Sequence, residues 1–181
     1  MKKLLIIIVG FMLIGCHSGD MIKPKNLSDE DQAIVEKYNI GQDSYSYEYK
    51  LTKERKAEVT FKIYNNGELD SNNYIQLFLE EEGELIISFF EERMYVNQIT
   101  DSVSMMSVPI KDISTYKEDG YQTEYSLMNS PFTSEEKILG VYIFNNEPGQ
   151  EMSPEYFQTN EDAVKEYEAC GILTIRLFDE N

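Results

Sequence analysis

The chain of 181 residues holds one histidine, two cysteines and no tryptophan. A single histidine excludes multi-histidine zinc sites. That histidine, His17, stands close to the N-terminus, so a Ser-His-Asp or Cys-His arrangement inside a folded body has no base. Neither a G-x-G-x-x-G turn nor a P-loop occurs, and no cofactor is implied. Basic residues are scarce as well, 16 against 33 acidic ones, for a net charge of −17. Such a surface repels phosphate backbones, which argues against nucleic acid as a partner. At 41% apolar and 27% charged residues the composition is globular rather than disordered.

What is present begins at the N-terminus. Met1-Lys2-Lys3 precedes eleven uncharged, mostly branched residues, Leu4 to Ile14. Eleven residues make about 17 Å of helix, roughly half a hydrocarbon core, so the run predicts an export signal rather than a membrane span. It ends in Leu13-Ile14-Gly15-Cys16, which resembles the lipobox of bacterial lipoproteins. The resemblance covers residues 1–16. It implies cleavage between Gly15 and Cys16, a diacylglyceryl group on the Cys16 thiol, and acylation of the new amine. It also implies a lipid anchor on the extracytoplasmic face of the cell membrane. In a host with two membranes that face is the outer membrane's, because His17 rather than an aspartate follows the cysteine. Two or more acyl chains hold a protein stably where one is marginal.

The expected organisation is a signal peptide over 1–15, a lipidated tether over 16–27 and one β-rich extracytoplasmic domain over 28–181. His17 to Lys25 is polar, contains Gly19 and Pro24, and shows no period, so it reads as a flexible tether. With Cys16 spent on lipid, Cys170 is left without a disulfide partner. Stability then rests on a hydrophobic core, and Cys170 reads as an inert buried thiol near a helix end.

Periodicity supplies the elements. Ser28, three acids and the apolar positions Ile34, Val35 and Tyr38 predict a short helix closing at Gly41. From Ser44 the period becomes two: Tyr45, Tyr47, Tyr49 and Leu51, then Ala57, Val59, Phe61 and Ile63. Asn65-Asn66-Gly67 marks a turn. Further strands are expected at 74–79, 84–90, 94–99, 103–110, 121–127 and 138–144, punctuated by Glu82-Gly83, Asp119-Gly120 and Pro131. The run 138–144 is apolar on both phases and belongs inside a sheet. Two short helical patterns follow, one from Ser153-Pro154-Glu155 and one capped near Asn160 and closed by Gly171, then a last strand through Leu173, Ile175 and Leu177. Together these predict a mainly β fold, an antiparallel β-sandwich with short helices packed at its ends, with the immunoglobulin-like arrangement as its candidate form.

Each candidate site has a plain structural counterpart. Tyr45, Tyr47 and Tyr49 share one strand face and make either a ligand platform or the inner side of a sandwich strand. Asp70 and Asn72, with Asn65, Asn66, Glu68 and Asn73, offer oxygen ligands for calcium, or simply good turn formers. Glu80-Glu81-Glu82 and Glu91-Glu92 are either paired carboxylates of a glycosidase or a solvated acidic rim. The expectation is a non-catalytic binding or adaptor module, held to the membrane by its anchor and meeting a protein or glycan partner. The alternatives are a protective or inhibitory lipoprotein directed at a secreted protein and a carboxylate-based cell-wall hydrolase.

Overall fold

The computed structural model describes residues 19–26, 33, 44–90, 92–110, 121–124, 130–131, 136–144 and 154–178. Among them are eleven strands: β1 (Met21–Lys25), β2 (Ser44–Lys50), β3 (Arg55–Asn65), β4 (Glu68–Leu79), β5 (Glu82–Phe90), β6 (Arg93–Ile99), β7 (Val103–Pro109), β8 (Tyr121–Glu124), β9 (Ser130–Pro131), β10 (Lys137–Phe144) and β11 (Ala169–Phe178). One helix, α1 (Pro154–Thr159), and a 3-10 turn, Glu161–Glu166, follow β10. The strands form two antiparallel sheets in the orders β7-β6-β5-β2-β1-β9 and β4-β3-β11-β10-β8. Their inner faces meet in one core, which makes the fold the expected β-sandwich.

Alternation decides which side chains enter that core. Tyr47 and Tyr49, with Leu85, Ile87, Phe89, Met94 and Val96, come from the six-stranded sheet. Ala57, Val59, Phe61, Ile63, Leu173, Ile175 and Leu177 come from the five-stranded one. Phe61 sits at the centre, its ring 4.7 Å from that of Phe89 and 5.3 Å from that of Tyr142. A side chain on Gly171 would put its Cβ 2.6 Å from the Phe61 ring. Gly171, expected to close a helix, is therefore a strand residue that makes room for the core.

Several expectations change in detail. The hairpin at Asn66 and Gly67 has both residues at positive φ, 49° and 79°, and its tightness lets β4 begin at Glu68 rather than 74. Glu82-Gly83 lies inside β5 instead of breaking the chain. Part of the expected tether, Met21–Lys25, is a strand of the fold. Met21–Lys25 pairs with β2, and the Asp20 carboxylate accepts hydrogen bonds from the Thr52 amide and hydroxyl at 2.7 Å and faces Arg55 at 3.1 Å. Pro24 is tolerated because, among the described residues, β9 pairs only with Met21 and Ile22, which leaves no partner on that side at Pro24.

The immunoglobulin order is not realised. In that order the penultimate strand sits beside strand C and the last strand lies outside it. Here the last strand, β11, sits beside β3, and β10 lies outside. The short helices pack over the outer face of β10 and β11 rather than at the sandwich ends. Of the helix expected over 28–41 only Ala33, which is helical, is among the described residues, and the break at Asp119-Gly120 falls outside them.

Candidate functional site

The outer face of the five-stranded sheet divides into two halves. On β10 and β11, Val141, Ile143, Cys170 and Ile172 point outward and are covered by Phe157 of α1 and by Ala163 and Val164 of the 3-10 turn. Pro154 opens α1 where its missing N–H costs nothing. Gln158 ties the helix down, accepting from the Ile138 amide at 2.9 Å and donating to the Glu136 carbonyl at 3.1 Å. Burial pushes the Cys170 thiol up to about 12, as expected for an inert cysteine, although a strand rather than a helix end holds it.

On β4 and β3 the same face is open. Ile75, Leu77 and Leu79 turn inward, while Leu69, Tyr74 and Phe78 stand outward at 54%, 55% and 68% exposure. Strand register builds rows across the sheet. Phe78 lies beside Lys56 and Phe178, Gln76 beside Glu58 and Arg176, and Tyr74 beside Thr60 and Thr174. Glu58 accepts from Gln76 at 2.9 Å and pairs with Arg176 at 3.4 Å. The Arg176 guanidinium lies 4.6 Å from the Phe178 ring centre and the Lys56 ammonium 5.8 Å from it, both within cation–π range.

A charged seam separates the halves. Glu136 accepts from Lys62 and Thr174, each at 2.7 Å. Burial pushes its carboxyl up, but the hydrogen bonds from Lys62 and Thr174 and the charges of Lys62 and Arg176 outweigh it, so the pKa lies below the ordinary value.

The residues singled out from sequence are distributed differently. Tyr47 and Tyr49, 2% and 3% exposed, are inner-face residues and offer no ligand platform; Tyr45 packs partly buried against the same core. The Tyr47 hydroxyl donates to the Leu139 carbonyl at 3.2 Å, and burial raises its pKa. The Tyr49 hydroxyl accepts from Gln98 at 3.0 Å. Asp70 and Asn72 lie on β4 rather than in a calcium-type loop, since the tight hairpin turns the expected loop into strand. Among the described residues no three histidines, cysteines or acids gather to hold a metal ion.

The acids Glu80, Glu81 and Glu82 share one surface region. With Glu54, Glu84 and Asp101 they line a wide-mouthed hollow of about 510 Å³ at the end of the sandwich where β4 passes into β5. Cys16 and Gly15 lie outside the described residues. Among those residues no helix is long and apolar enough to cross a membrane.

Tyr74 and Phe78 were the residues missed, and a signal for them exists. From Tyr74 to Leu79 the apolar residues occupy both phases of the strand, one set inside and one outside. Comparison with known proteins finds no matching family model, no matching curated protein and no matching solved structure.

Proposed function

We propose that the chain is a lipid-anchored, non-catalytic binding module on the extracytoplasmic face of the membrane, and that the open half of its five-stranded sheet meets the partner. The lipobox-like Leu13-Ile14-Gly15-Cys16 supports the anchor. The exposure of Leu69, Tyr74 and Phe78 on one face of one strand carries the binding surface, because several large apolar side chains left in water along a single sheet face suit a contact site. Tyr74 and Arg176 are also of the residue types that dominate contact energies.

The test uses the full chain solubilised from membranes in detergent. One stoichiometric protein or glycan is expected to co-purify, and Tyr74→Ser is expected to lose it at unchanged thermal stability. In the same cells Cys16→Ser is expected to leave an uncut precursor without labelled fatty acid. A partner retained by Tyr74→Ser, or a reproducible hydrolysis abolished by one Glu or Asp substitution, overturns the reading.

The acidic hollow favours a second reading, interception of a basic secreted protein. On that reading Glu81→Lys with Glu82→Lys abolishes capture and Tyr74→Ser leaves it intact.

A further inference from the structure

We infer that the end of the sandwich bearing Phe78, Lys56, Phe178 and Arg176 rests on the phospholipid surface that holds the anchor. The inference depends on the lipid anchor proposed above and adds to it an orientation.

Chain length makes the first case. Asp20 follows Cys16 by four residues, and four residues reach at most about 14 Å. Asp20 is itself nearly fully buried, fixed by Thr52 and by Arg55 at the first residue of β3. The tether therefore has no slack beyond that distance. The end of the molecule where β3 begins and β4 finishes is held close to the headgroups.

Surface chemistry at that end makes the second. Phe78, Lys56 and Phe178 form the lowest complete row across β4, β3 and β11, with Arg176 in the row above. Among the described residues Phe78 is the most exposed of the large hydrophobic side chains. An aromatic ring beside Lys and Arg heads suits the headgroup boundary, the rings entering it while the cations meet phosphate. Glu58, the acid within this patch, is engaged by Gln76 and Arg176.

Charge then sets the tilt. The same end carries the acidic hollow on its other side, formed by Glu80, Glu81, Glu82 and Asp101 in the loops and strand ends of the β4–β5 and β6–β7 hairpins. An anionic bilayer repels that side and attracts the Lys56–Arg176 side. Tyr74 lies four residues above Phe78 on β4, roughly 13 Å higher, and stays available to a partner.

Lipidated full-length protein in vesicles of phosphatidylethanolamine with a minority of phosphatidylglycerol tests this. Cys16 is spent on lipid and Cys170 is buried, so a dye reacts only at an introduced cysteine. With a quencher attached to lipid headgroups, dye at Gln76→Cys should be quenched several-fold more than dye at Glu68→Cys, which lies roughly 26 Å further along β4. Adding Phe78→Ser and Lys56→Gln should narrow the difference between the two readings. Equal quenching at the two positions, or stronger quenching of dye at Thr100→Cys than at Gln76→Cys, overturns the orientation. Flotation and fatty-acid labelling separate the causes. A chain that floats with the vesicles yet shows equal quenching refutes the orientation alone, whereas one that neither floats nor takes up fatty acid refutes the anchor and the orientation with it.

Discussion

Two halves of one sheet face are treated differently by this fold. On β10 and β11 the outward side chains are Val141, Ile143, Cys170 and Ile172, and a short helix with a 3-10 turn seals them from water. On β4 and β3 the outward side chains include Lys56, Glu58, Gln76 and two bare aromatic rings, and among the described residues nothing lies over Tyr74 and Phe78. Strand pairing nevertheless links both halves, from β4 through β3 and β11 to β10. Cover thus follows the outward side chains: Val141, Ile143, Cys170 and Ile172 form an unbroken apolar face that needs a lid, whereas Tyr74 and Phe78 alternate with Lys56, Glu58, Gln76 and Arg176 on a face that can stay open. An open half of this kind remains free to touch something else.

The comparison can be broken first at its shared foundation. Phe61 underlies both halves, and Phe61→Ala is expected to cost about 3–5 kcal/mol by denaturant unfolding. Ile143→Ala removes a side chain from the sealed half and is expected to cost about 2–5 kcal/mol. A loss as small as that of a surface substitution would mean that α1 does not close over β10.

Alkali provides a sharper probe of the seal. The Cys170 thiol is pushed from its ordinary 9.0 up to about 12 by burial. Below pH 9 both states keep the proton and stability is unaffected. Between pH 9 and about 12 the unfolded chain ionises first, so stability should fall with rising pH. Tyr47, also raised by burial, adds to the fall from its own ordinary value of 10.0 upward. In Cys170→Ala the component beginning near pH 9 should vanish, and its absence from the unsubstituted chain would place the sealed half in contact with water.

The smallest expected effect belongs to the open half. Phe78→Ser should change stability by no more than about 0.5 kcal/mol, measured in the same denaturant titration. A loss above about 2 kcal/mol would show that the ring is covered and that the two halves do not differ.

Much of the sandwich was legible because period-two alternation is a direct consequence of one buried face, as at Ala57, Val59, Phe61 and Ile63. Sheet order was not legible. Nothing local in β10 or β11 says that the last strand inserts beside β3, a pairing set by the whole core. β1 was missed because Lys23, Pro24 and Lys25 read as tether, and its place depends on the distant clamp between Asp20 and Arg55. The tyrosines of β2 showed which residues share a face but not which face is inner; the second sheet decides that. Tyr74 and Phe78 hid for the opposite reason: in a strand apolar on both phases, alternation alone cannot tell core from contact surface.

A photoreactive residue placed at Tyr74 or, for contrast, at Gln158 on the helix over the sealed half tests the central claim most directly in intact cells. The lipidated chain should give one discrete adduct from position 74 and none from position 158. Adducts from 158 alone, equal adducts from both, or none from 74 would contradict the assignment of the open half as the contact surface.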